Sequence, residues 1–295
     1  MAVIVLNWKG LEDTRVCLRS LGESIHPVDV IVVDNNSADG SLEALQAEFP
    51  HHVFLPQAAN LGYAGGNNAG LAYALGRPYD VVGVLNNDTV ASPSMVDGLL
   101  RELGDHPGAA VSPTITATSS GDTWFAGAML HPETRLPVHD PEAQPGSTPF
   151  LTGCAIFAAA QTWRSVGNFR DDYFLIFEDS EWSGRAVASG VDLRVVGDAH
   201  LAHAVSASLN KGRGVGIYYW TRNGVALRWE WEGRRTWASV WTLALRPGLS
   251  AVKADGTAGL RELALRVVAV IDAHRQRFGP ARGRVLRRLR VSTET

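Results

Sequence analysis

The sequence predicts an α/β fold in which a doubly wound, mostly parallel sheet is flanked by helices. Two observations in the first hundred residues predict it: short apolar strands alternate with helical segments, and polar side chains follow each strand. The strands are apolar almost throughout, as expected where helices cover both faces of a sheet. With 295 residues, the chain can form one large α/β domain or two smaller ones.

The elements of the first half follow from periodicity and from residues that begin helices. The predicted strands are rich in β-branched residues and cover 2–6, 28–33, 53–55 and 81–85. Predicted helices begin near Asp13, Ser41 and Ser92, each a residue type that caps helices. A further helix follows the glycine-rich turn 60–70. In this turn, backbone N–H groups could approach a nucleotide closely, although the glycine spacing matches neither common nucleotide-binding motif.

Polar side chains stand at the carboxyl ends of the predicted strands, at Asn7, Asp34, Asn60 and 86–88. In parallel α/β sheets, ligands bind at this edge. The oxygen donors of Asn86, Asn87 and Asp88 suit a hard divalent cation. By itself, the tetrapeptide formed by these residues and Thr89 is more typical of a turn. The recurrence of polar strand ends favours a nucleotide site with a metal.

The second half contains one polar loop and a second acidic cluster. A strand is predicted over 124–127, and the proline-rich stretch 131–149 is either a mobile surface loop or a lid. Aromatic and aliphatic residues run into Glu178 and Asp179, after which a helix is predicted over 180–189. These carboxylates either stabilise the helix start through its dipole or supply a partly desolvated base for a hydroxyl proton.

Composition narrows the classes of function. A net charge of −3 and a pI near 6.3 give no overall field for nucleic acid, so no nucleic-acid partner is expected. Cys17 and Cys154 stand in apolar surroundings and are expected in the core. No apolar run approaches the roughly 20 residues of a membrane span, and no basic region precedes the first strand as in an export signal. A cytoplasmic location is therefore expected.

Six motifs, in this order and spacing, resemble one family. They are 3–8 (VIVLNW), 32–41 (VVDNNSADGS), 60–68 (NLGYAGGNN), 85–89 (LNNDT), 166–174 (VGNFRDDYF) with the following FED, and 218–223 (YYWTRN). The chain resembles, over about residues 2–230, the inverting glycosyltransferases of family 2, and especially their rhamnosyltransferase-like branch. The resemblance implies the GT-A fold.

The resemblance also implies roles for individual residues. Asn7 and Asp34 would contact the nucleotide base, with Asn60, Gly65 and Asn67 near base and ribose; Asn86, Asn87 and Trp124 would complete the substrate site. Asp88 would hold a divalent metal, although Asn86 replaces the first carboxylate of the family's Asp-X-Asp motif. Asp179 would be the catalytic base and Glu178 would line the acceptor site. His203 would reach the metal or diphosphate, with His200 as the competing candidate.

The expected reaction is an inverting single displacement assisted by Mg²⁺ or Mn²⁺. A dTDP-sugar donor, such as one carrying the deoxysugar rhamnose, is favoured, with UDP-sugars next; the acceptor is a glycan, a lipid-linked molecule or a small molecule. Two other classes stay open: a sugar-phosphate nucleotidyltransferase, and a catalytically silent nucleotide- or carbohydrate-binding module. A nucleotidyltransferase normally has a glycine-rich basic loop directly after its first strand, and residues 7–10 match this loop poorly. A silent binding module would lack a catalytic base such as Asp179.

The chain is expected to divide into three parts. Residues 1–108 would form the nucleotide-sugar half, 109–230 the acceptor and catalytic half of the same domain, and 231–295 a basic helical extension. Within the extension, 259–278 reads as an amphipathic helix, and 275–290 contains seven arginines. This basic end is expected to pack on the domain or at a homodimer interface; the alternative is peripheral contact with the inner face of a membrane. Residues 210–216 are either a lid or a surface turn.

Overall fold

A mixed β-sheet forms the centre of the fold. The computed structural model describes residues 1–140, 142–204, 213–281 and 283. Its strands, in chain order, are β1 (Ala2–Asn7), β2 (Asp29–Asp34), β3 (Val53–Pro56), β4 (Val81–Asn86), β5 (Thr89–Ala91), β6 (Ala110–Ala117), β7 (Thr123–Phe125), β8 (Ala128–Leu130), β9 (Pro137–His139), β10 (Gly146–Ser147), β11 (Ala155–Ala159) and β12 (Leu193–His203).

The strand order confirms the predicted α/β class. The sheet runs β10-β12-β6-β11-β4-β1-β2-β3, while β5 pairs with β12 and β7 with β6. Strands β3, β2, β1 and β4 are parallel to one another, and β6 is parallel to β12. Strand β11 lies antiparallel between β4 and β6, so that β6 and β12 run in the same direction as β1. The carboxyl ends of β1, β2 and β4 therefore meet at one edge.

Helices alternate with the strands and then make up most of the described chain after β12. They are α1 (Leu11–Gly22), α2 (Ser41–Glu48), α3 (Gly62–Leu75), α4 (Met95–Asp105), α5 (Ala160–Val166), α6 (Glu178–Ala188), α7 (Arg213–Glu232), α8 (Trp237–Val240), α9 (Arg246–Asp255) and α10 (Thr257–His274). A five-residue π-helical stretch, Trp241–Leu245, joins α8 to α9. The predicted helical extension is thus present. None of these helices is both long and apolar enough to cross a membrane.

Two predicted helix starts were wrong by a few residues. Helix α1 begins at Leu11, so Asp13 lies in its first turn, where a carboxylate favours the helix dipole. Helix α4 begins at Met95 rather than after Ser92, because residues 92–94 form the connection between strand β5 and the helix. A three-residue strand has no detectable periodicity, so β5 was not predicted.

Glycines of α3 allow this helix to approach the sheet closely. A Cβ atom at Gly66 would lie 2.5 Å from Cδ1 of Leu6, and one at Gly70 would lie 2.4 Å from Cγ2 of Ile4. Any larger residue would push α3 away from β1. Gly66 and Gly70 thus serve packing between helix and sheet, whereas the glycine-rich turn was predicted to approach a nucleotide.

The described residues divide into two units. Unit 1 comprises residues within Met1–Met129, Val138–Asp171 and Glu178–Val205, and unit 2 comprises residues within Leu130–Pro137, Asp172–Phe177 and Ser206–Thr295. Unit 1 contains the ten-stranded sheet and a continuous apolar core in which Cys17 and Cys154 are buried and unbridged, as predicted. The stretch 131–149, predicted as a loop, includes strands β9 and β10.

Unit 2 is mainly helical. Its apolar clusters combine side chains of α7, α10 and the segment 172–177. Arg222 and Asn223 of α7 are nevertheless fully buried among them. The predicted helix 259–278 corresponds to α10 at Thr257–His274. Residues 282 and 284–290 of the basic end, and 210–212 of the stretch 210–216, lie outside the described residues, and with them the predictions that depend on these positions. The remaining residues of 210–216 begin helix α7.

Candidate active site

Asn7 and Asp34 lie side by side at the ends of neighbouring strands. Nδ2 of Asn7 donates to Oδ1 of Asp34 over 2.8 Å, and the Thr14 hydroxyl donates to Oδ1 of Asn7 over 2.9 Å. Ser37 donates to both Asp34 carboxylate oxygens, through its hydroxyl and its backbone N–H. Asn7 is completely buried and Asp34 is 4% exposed. Asn7 therefore stands behind Asp34 and fixes its orientation.

The turn that begins α3 is fixed by Asn35, a residue that the motif analysis did not single out. Nδ2 of Asn35 donates to Oδ1 of Asn60 and to the carbonyl of Gly62, each over 3.0 Å, and Oδ1 of Asn35 accepts from the N–H of Leu61. Asn67 lies one turn further along and is buried, with its Oδ1 lacking a partner among the described residues. Gly65 is partly exposed between these residues. The turn is thus rigid at the sheet edge.

The polar residues after β4 point in different directions. Nδ2 of Asn87 donates to the Thr14 hydroxyl over 2.8 Å, so this side chain anchors the start of α1. The backbone N–H of Asn86 donates to the carbonyl of Cys154 over 2.9 Å, which joins the end of β4 to the residues before β11. The Asn86 side chain is partly exposed at the edge. Asp88, whose side chain is a carboxylate, follows Asn86 and Asn87 in the chain.

Strand pairing brings His203 to Asp88. Strand β5 begins at Thr89, which pairs with His203 at the end of β12, and the N–H of Ala204 donates to the Asp88 carbonyl over 2.9 Å. Nε2 of His203 consequently lies 3.2 Å from Oδ1 of Asp88. The side chains are 9% and 18% exposed, respectively. His200 stands three positions earlier, on the opposite face of the strand, and is exposed, so His203 is the histidine beside Asp88.

Trp124 packs against the imidazole of His203. The two ring centroids are 4.6 Å apart at an interplanar angle of 66°. His139 lies 4.4 Å from the Trp124 ring, and its Nδ1 is 2.9 Å from the Trp124 carbonyl oxygen. Trp124 therefore lies next to the predicted metal-binding histidine and restricts its orientation.

Asp179 lies at the start of α6 and is hydrogen-bonded to the strand edge. Its Oδ2 accepts from the N–H of Gly153 over 2.7 Å, and its Oδ1 accepts from the N–H of Ser180 over 2.6 Å and from the Ser180 hydroxyl over 3.1 Å. A Cβ atom at Gly153 would lie 3.3 Å from this carboxylate and 3.3 Å from the Tyr63 hydroxyl. Because Gly153 precedes Cys154, these bonds link Asp179 to the end of β4.

Glu178 and Tyr63 are ionisable neighbours of Asp179. Burial, reinforced by the Asp179 carboxylate, raises the pKa of Glu178 to about 8. Its Oε2 has no hydrogen-bond partner among the described residues. Burial and then the Glu178 and Asp179 carboxylates raise the pKa of Tyr63 well above its usual value, so its hydroxyl stays protonated and donates to the Gly153 carbonyl. Glu178 is thus a neutral acid at neutral pH.

The donor atoms around Asp88 fit a divalent cation that keeps most of its ligands for substrate and water. Within the described ranges, Oδ1 of Asp88 and Nδ1 of His203 are buried without a hydrogen-bond partner. The same residues contain no cluster of three or more His, Cys, Asp or Glu suited to a metal. A carboxylate oxygen and an imidazole nitrogen are common ligands of Mn²⁺, and diphosphate oxygens would supply further positions.

The edge brings together most residues that the motifs predicted. Asp34, Asn86, Asp88, Asp179 and His203 belong to unit 1 and follow or flank the carboxyl ends of its strands.

Gly153, Tyr63 and Asn35 were missed as site residues. Tyr63 and Asn35 lie within the motifs that carry the resemblance, but no spacing rule distinguishes them, because their roles are hydrogen bonds between distant segments.

The fold is that of the GT-A type found in glycosyltransferases. The structure matches GalNAc-T7 with UDP, GalNAc and Mn²⁺ at a TM-score of 0.64 and 14% identity, over 91% of this chain and 54% of that one. It also matches the mannosyltransferase PcManGT from Pyrobaculum calidifontis in complex with GDP-Man and Mn²⁺ at a TM-score of 0.57 and 17% identity, over 98% and 78%. At these identities the likeness establishes the fold.

Residues 2–165 match the family described as Glycosyl transferase family 2. This is more than half of the chain, and the chain belongs to that family. It is also 25% identical over 191 residues to the N-acetylglucosaminyl-diphospho-decaprenol L-rhamnosyltransferase of Mycobacterium tuberculosis (strain ATCC 25618 / H37Rv). The match covers 56% of this chain and 62% of that relative's length. Asp179 and His203 lie beyond the family match.

Proposed function

We propose that this protein transfers a sugar from a nucleoside-diphosphate sugar to an acceptor hydroxyl, with inversion at the anomeric carbon. One observation carries the proposal: the hydrogen bonds that join Asp179 through Gly153 and Cys154 to Asn86, two residues before Asp88. They hold a base and a predicted metal-binding carboxylate at the same edge of one sheet. This edge is where ligands bind in parallel α/β folds.

Asp179 is the proposed catalytic base. Gly153 and Ser180 donate three hydrogen bonds that fix the carboxylate, and a carboxylate has acceptor capacity left for the proton of an acceptor hydroxyl. The oxygen would attack the anomeric carbon as that proton leaves. Glu178, as a neutral acid, would donate a hydrogen bond to the acceptor and add no second negative charge.

Asp88 and His203 are the residues proposed to hold Mg²⁺ or Mn²⁺. When bound, such an ion stabilises the negative charge that develops on a leaving diphosphate. Trp124 restricts the imidazole of His203 through its ring contact. The occurrence of Mn²⁺ in the structures of GalNAc-T7 and PcManGT supports this proposal.

Asp34, Asn60, Gly65, Asn67 and Asn86 are the proposed contacts to the nucleotide sugar. Asn7 and Asn87 would not contact the donor directly. Asn7 would orient Asp34, and Asn87 would fix the start of α1. We favour a dTDP-deoxysugar, such as dTDP-rhamnose, over a UDP-sugar. The support is the rhamnosyltransferase relative at 25% identity.

For the acceptor we favour a lipid-linked glycan over a small molecule. The name of the relative, N-acetylglucosaminyl-diphospho-decaprenol L-rhamnosyltransferase, supports this choice. In unit 2, Trp237 is 79% exposed and Trp241 is 50% exposed, one turn apart on the same helical face. The residues 233–253 include four cationic and no acidic side chains. Exposed tryptophan beside basic residues is typical of helices that lie on anionic membranes, so we propose peripheral contact at a cytoplasmic membrane face.

Calorimetry with dTDP and UDP, with and without Mn²⁺, tests the donor site directly. We expect metal-dependent binding of one nucleotide, and loss of the metal dependence in Asp88→Ala. Asp122→Ala removes an exposed carboxylate of the same unit and should leave binding unchanged. Failure of both nucleotides to bind in any metal condition would overturn the proposal. Nucleotide binding without sugar transfer would favour a silent binding module. Formation of a nucleotide sugar from a sugar phosphate would identify a nucleotidyltransferase.

A further inference from the structure

The segment Asp172–Phe177 of unit 2 has an unusual backbone. Phe174, Ile176 and Phe177 have φ angles of 65°, 70° and 72°, in the left-handed region. Side chains with a Cβ rarely adopt this region, and a β-branched residue such as Ile176 does so least of all. Such a residue is strained and persists only where the surroundings impose its conformation. Something must therefore hold this segment.

Asn223 of α7 donates three hydrogen bonds to the segment. Its Nδ2 donates to the carbonyl oxygens of Tyr173, Leu175 and Ile176 over 3.0, 2.8 and 2.8 Å. Asn223 is completely buried. One side-chain amide thus forms hydrogen bonds with three carbonyl groups of the segment. The left-handed backbone orients these carbonyl groups toward α7.

Arg222 orients that amide and adds contacts of its own. Its Nε donates to Oδ1 of Asn223 over 2.8 Å, which leaves the amide nitrogen facing the segment. Its Nη2 donates to the Tyr173 carbonyl over 2.9 Å, and its Nη1 donates to the Gly279 carbonyl over 2.7 Å. The guanidinium group of Arg222 is fully buried. Because it is planar and carries several N–H donors, it can bond to several carbonyl oxygens at once.

The aromatic residues beside Arg222 contact the same segment. The ring of Tyr219 stacks on that of Phe174, with centroids 5.4 Å apart, and Trp220 lies 6.1 Å from Phe177. Thr221 faces elsewhere and accepts a hydrogen bond from Arg266 over 3.2 Å. The motif Tyr-Tyr-Trp-Thr-Arg-Asn, to which no role was assigned, therefore contacts 173–177 through four of its six residues.

The segment continues directly into Glu178 and Asp179, which begin α6. We propose that Arg222 and Asn223 are positioning residues that hold 173–177 in the strained conformation needed to present Asp179 to the acceptor. This inference rests on the proposed role of Asp179 as the base. It assigns a function to the motif at 218–223 and explains why the strain is retained immediately before a catalytic carboxylate.

Asn223→Ala and Thr221→Val form the matched pair that tests the inference. Both change a buried polar side chain of α7, but only the first removes bonds to 173–177. Hydrogen exchange of a peptide covering 172–180 should speed up in Asn223→Ala and stay at the wild-type rate in Thr221→Val. In transfer assays, kcat of Asn223→Ala should fall by about 10- to 100-fold, the usual cost of a small misplacement. The nucleotide Kd should change less than about twofold.

The outcomes separate this inference from the proposed function. Unchanged exchange at 172–180 in Asn223→Ala would overturn the inference, and so would equal losses of kcat in the two variants at matched melting temperatures. If the wild-type protein transfers no sugar, or if Asp179→Asn retains full turnover, the proposed function fails instead. The exchange result would then still show whether Asn223 holds the segment. Should Asn223→Ala fail to fold, Asn223→Ser keeps one donor and repeats the comparison.

Discussion

Nε2 of His203 lies 3.2 Å from Oδ1 of Asp88, although the two residues are about 115 positions apart in the chain. If both bind the metal, His203→Ala should weaken Mn²⁺ affinity in the presence of nucleotide by at least about 10-fold, since even partners of metal ligands are worth 10- to 100-fold. Titration calorimetry or Mn²⁺ paramagnetic resonance measures the change. His200→Ala, on the opposite face of β12, is the control; an equal loss in both variants would remove His203 from the metal site.

Asp179→Asn should lower turnover by roughly two to four orders of magnitude, the range of general base catalysis. The amide keeps the shape and the acceptor for the Gly153 N–H, but it cannot take a proton at neutral pH. The nucleotide Kd should stay the same, because the change does not affect Asp88. Initial-rate kinetics with a fixed acceptor measure the effect, and Asp122→Asn, an exposed carboxylate, is the control. Turnover within tenfold of wild type would exclude Asp179 as the base.

The stability of the protein should depend on pH through Glu178. Its pKa is raised from 4.5 to about 8 in the folded state, so between these values the folded state binds more protons than the unfolded state. The free energy of unfolding should therefore decrease as pH rises through this window, by at most about 1.4 kcal/mol per pH unit.

Glu178→Gln mimics the neutral acid and should remove this contribution. Denaturant unfolding at pH 5, 7 and 8.5 should show a flatter profile for the variant, with its greatest gain in stability over wild type at pH 8.5. A variant whose profile is parallel to that of wild type would mean that Glu178 does not titrate in this window.

Gly70→Ala should destabilise the protein by about 1–3 kcal/mol, as overpacking usually does. The added Cβ would lie 2.4 Å from Cγ2 of Ile4, so α3 and β1 would have to separate. Gly104→Ala, in α4 with no atom within 4 Å of the added Cβ, should stabilise by about 0.5–1 kcal/mol. Urea unfolding of both variants compares them. Equal changes in the free energy of unfolding for the two variants would mean that α3 packs less tightly on the sheet than the 2.4 Å distance at Gly70 indicates.

The exposed tryptophans predict binding to lipid. The protein should co-sediment with phosphatidylglycerol vesicles at low salt, less so with phosphatidylcholine vesicles, and less as salt screens the charges. Trp237→Ala combined with Trp241→Ala should reduce the bound fraction at least about fivefold, whereas Leu260→Ala, which changes a side chain 54% exposed on α10, should not. Equal vesicle binding by the double tryptophan variant and by Leu260→Ala would contradict the proposed membrane contact. A dimer that this double variant dissociates would place the tryptophans at a protein interface.

The edge of the sheet was predictable because it depends on local pattern. Apolar strands that end in Asn7, Asp34 and Asn86 can be read from sequence, and parallel pairing then aligns their ends. The contact of Asp88 with His203 could not be derived in this way. It requires the three-residue strand β5 to pair with β12, and so short a strand has no periodic signal. Only the family resemblance pointed to His203.

Residue type also conceals how a side chain is used. Asn7, Asn67 and Asn87 look like ligand contacts in the sequence, but Asn7 is a buried support of Asp34 and Asn87 anchors α1. Hydrogen-bond partners decide between these uses, and the partners lie on other elements. The same holds for Arg222 and Asn223, whose role depends on a strained backbone that no propensity scale anticipates.

The pairing of β5 with β12 has a kinetic consequence. Asp88 and His203 are about 115 residues apart in the chain, and contacts of such long range form slowly because loop closure must precede them. The intervening β6 and β11 must be in register before β12 can reach β5. During refolding, the proposed Mn²⁺ site should therefore form late, after the β3-β2-β1-β4 part of the sheet. An ion added at successive times would report the moment at which the fold is complete.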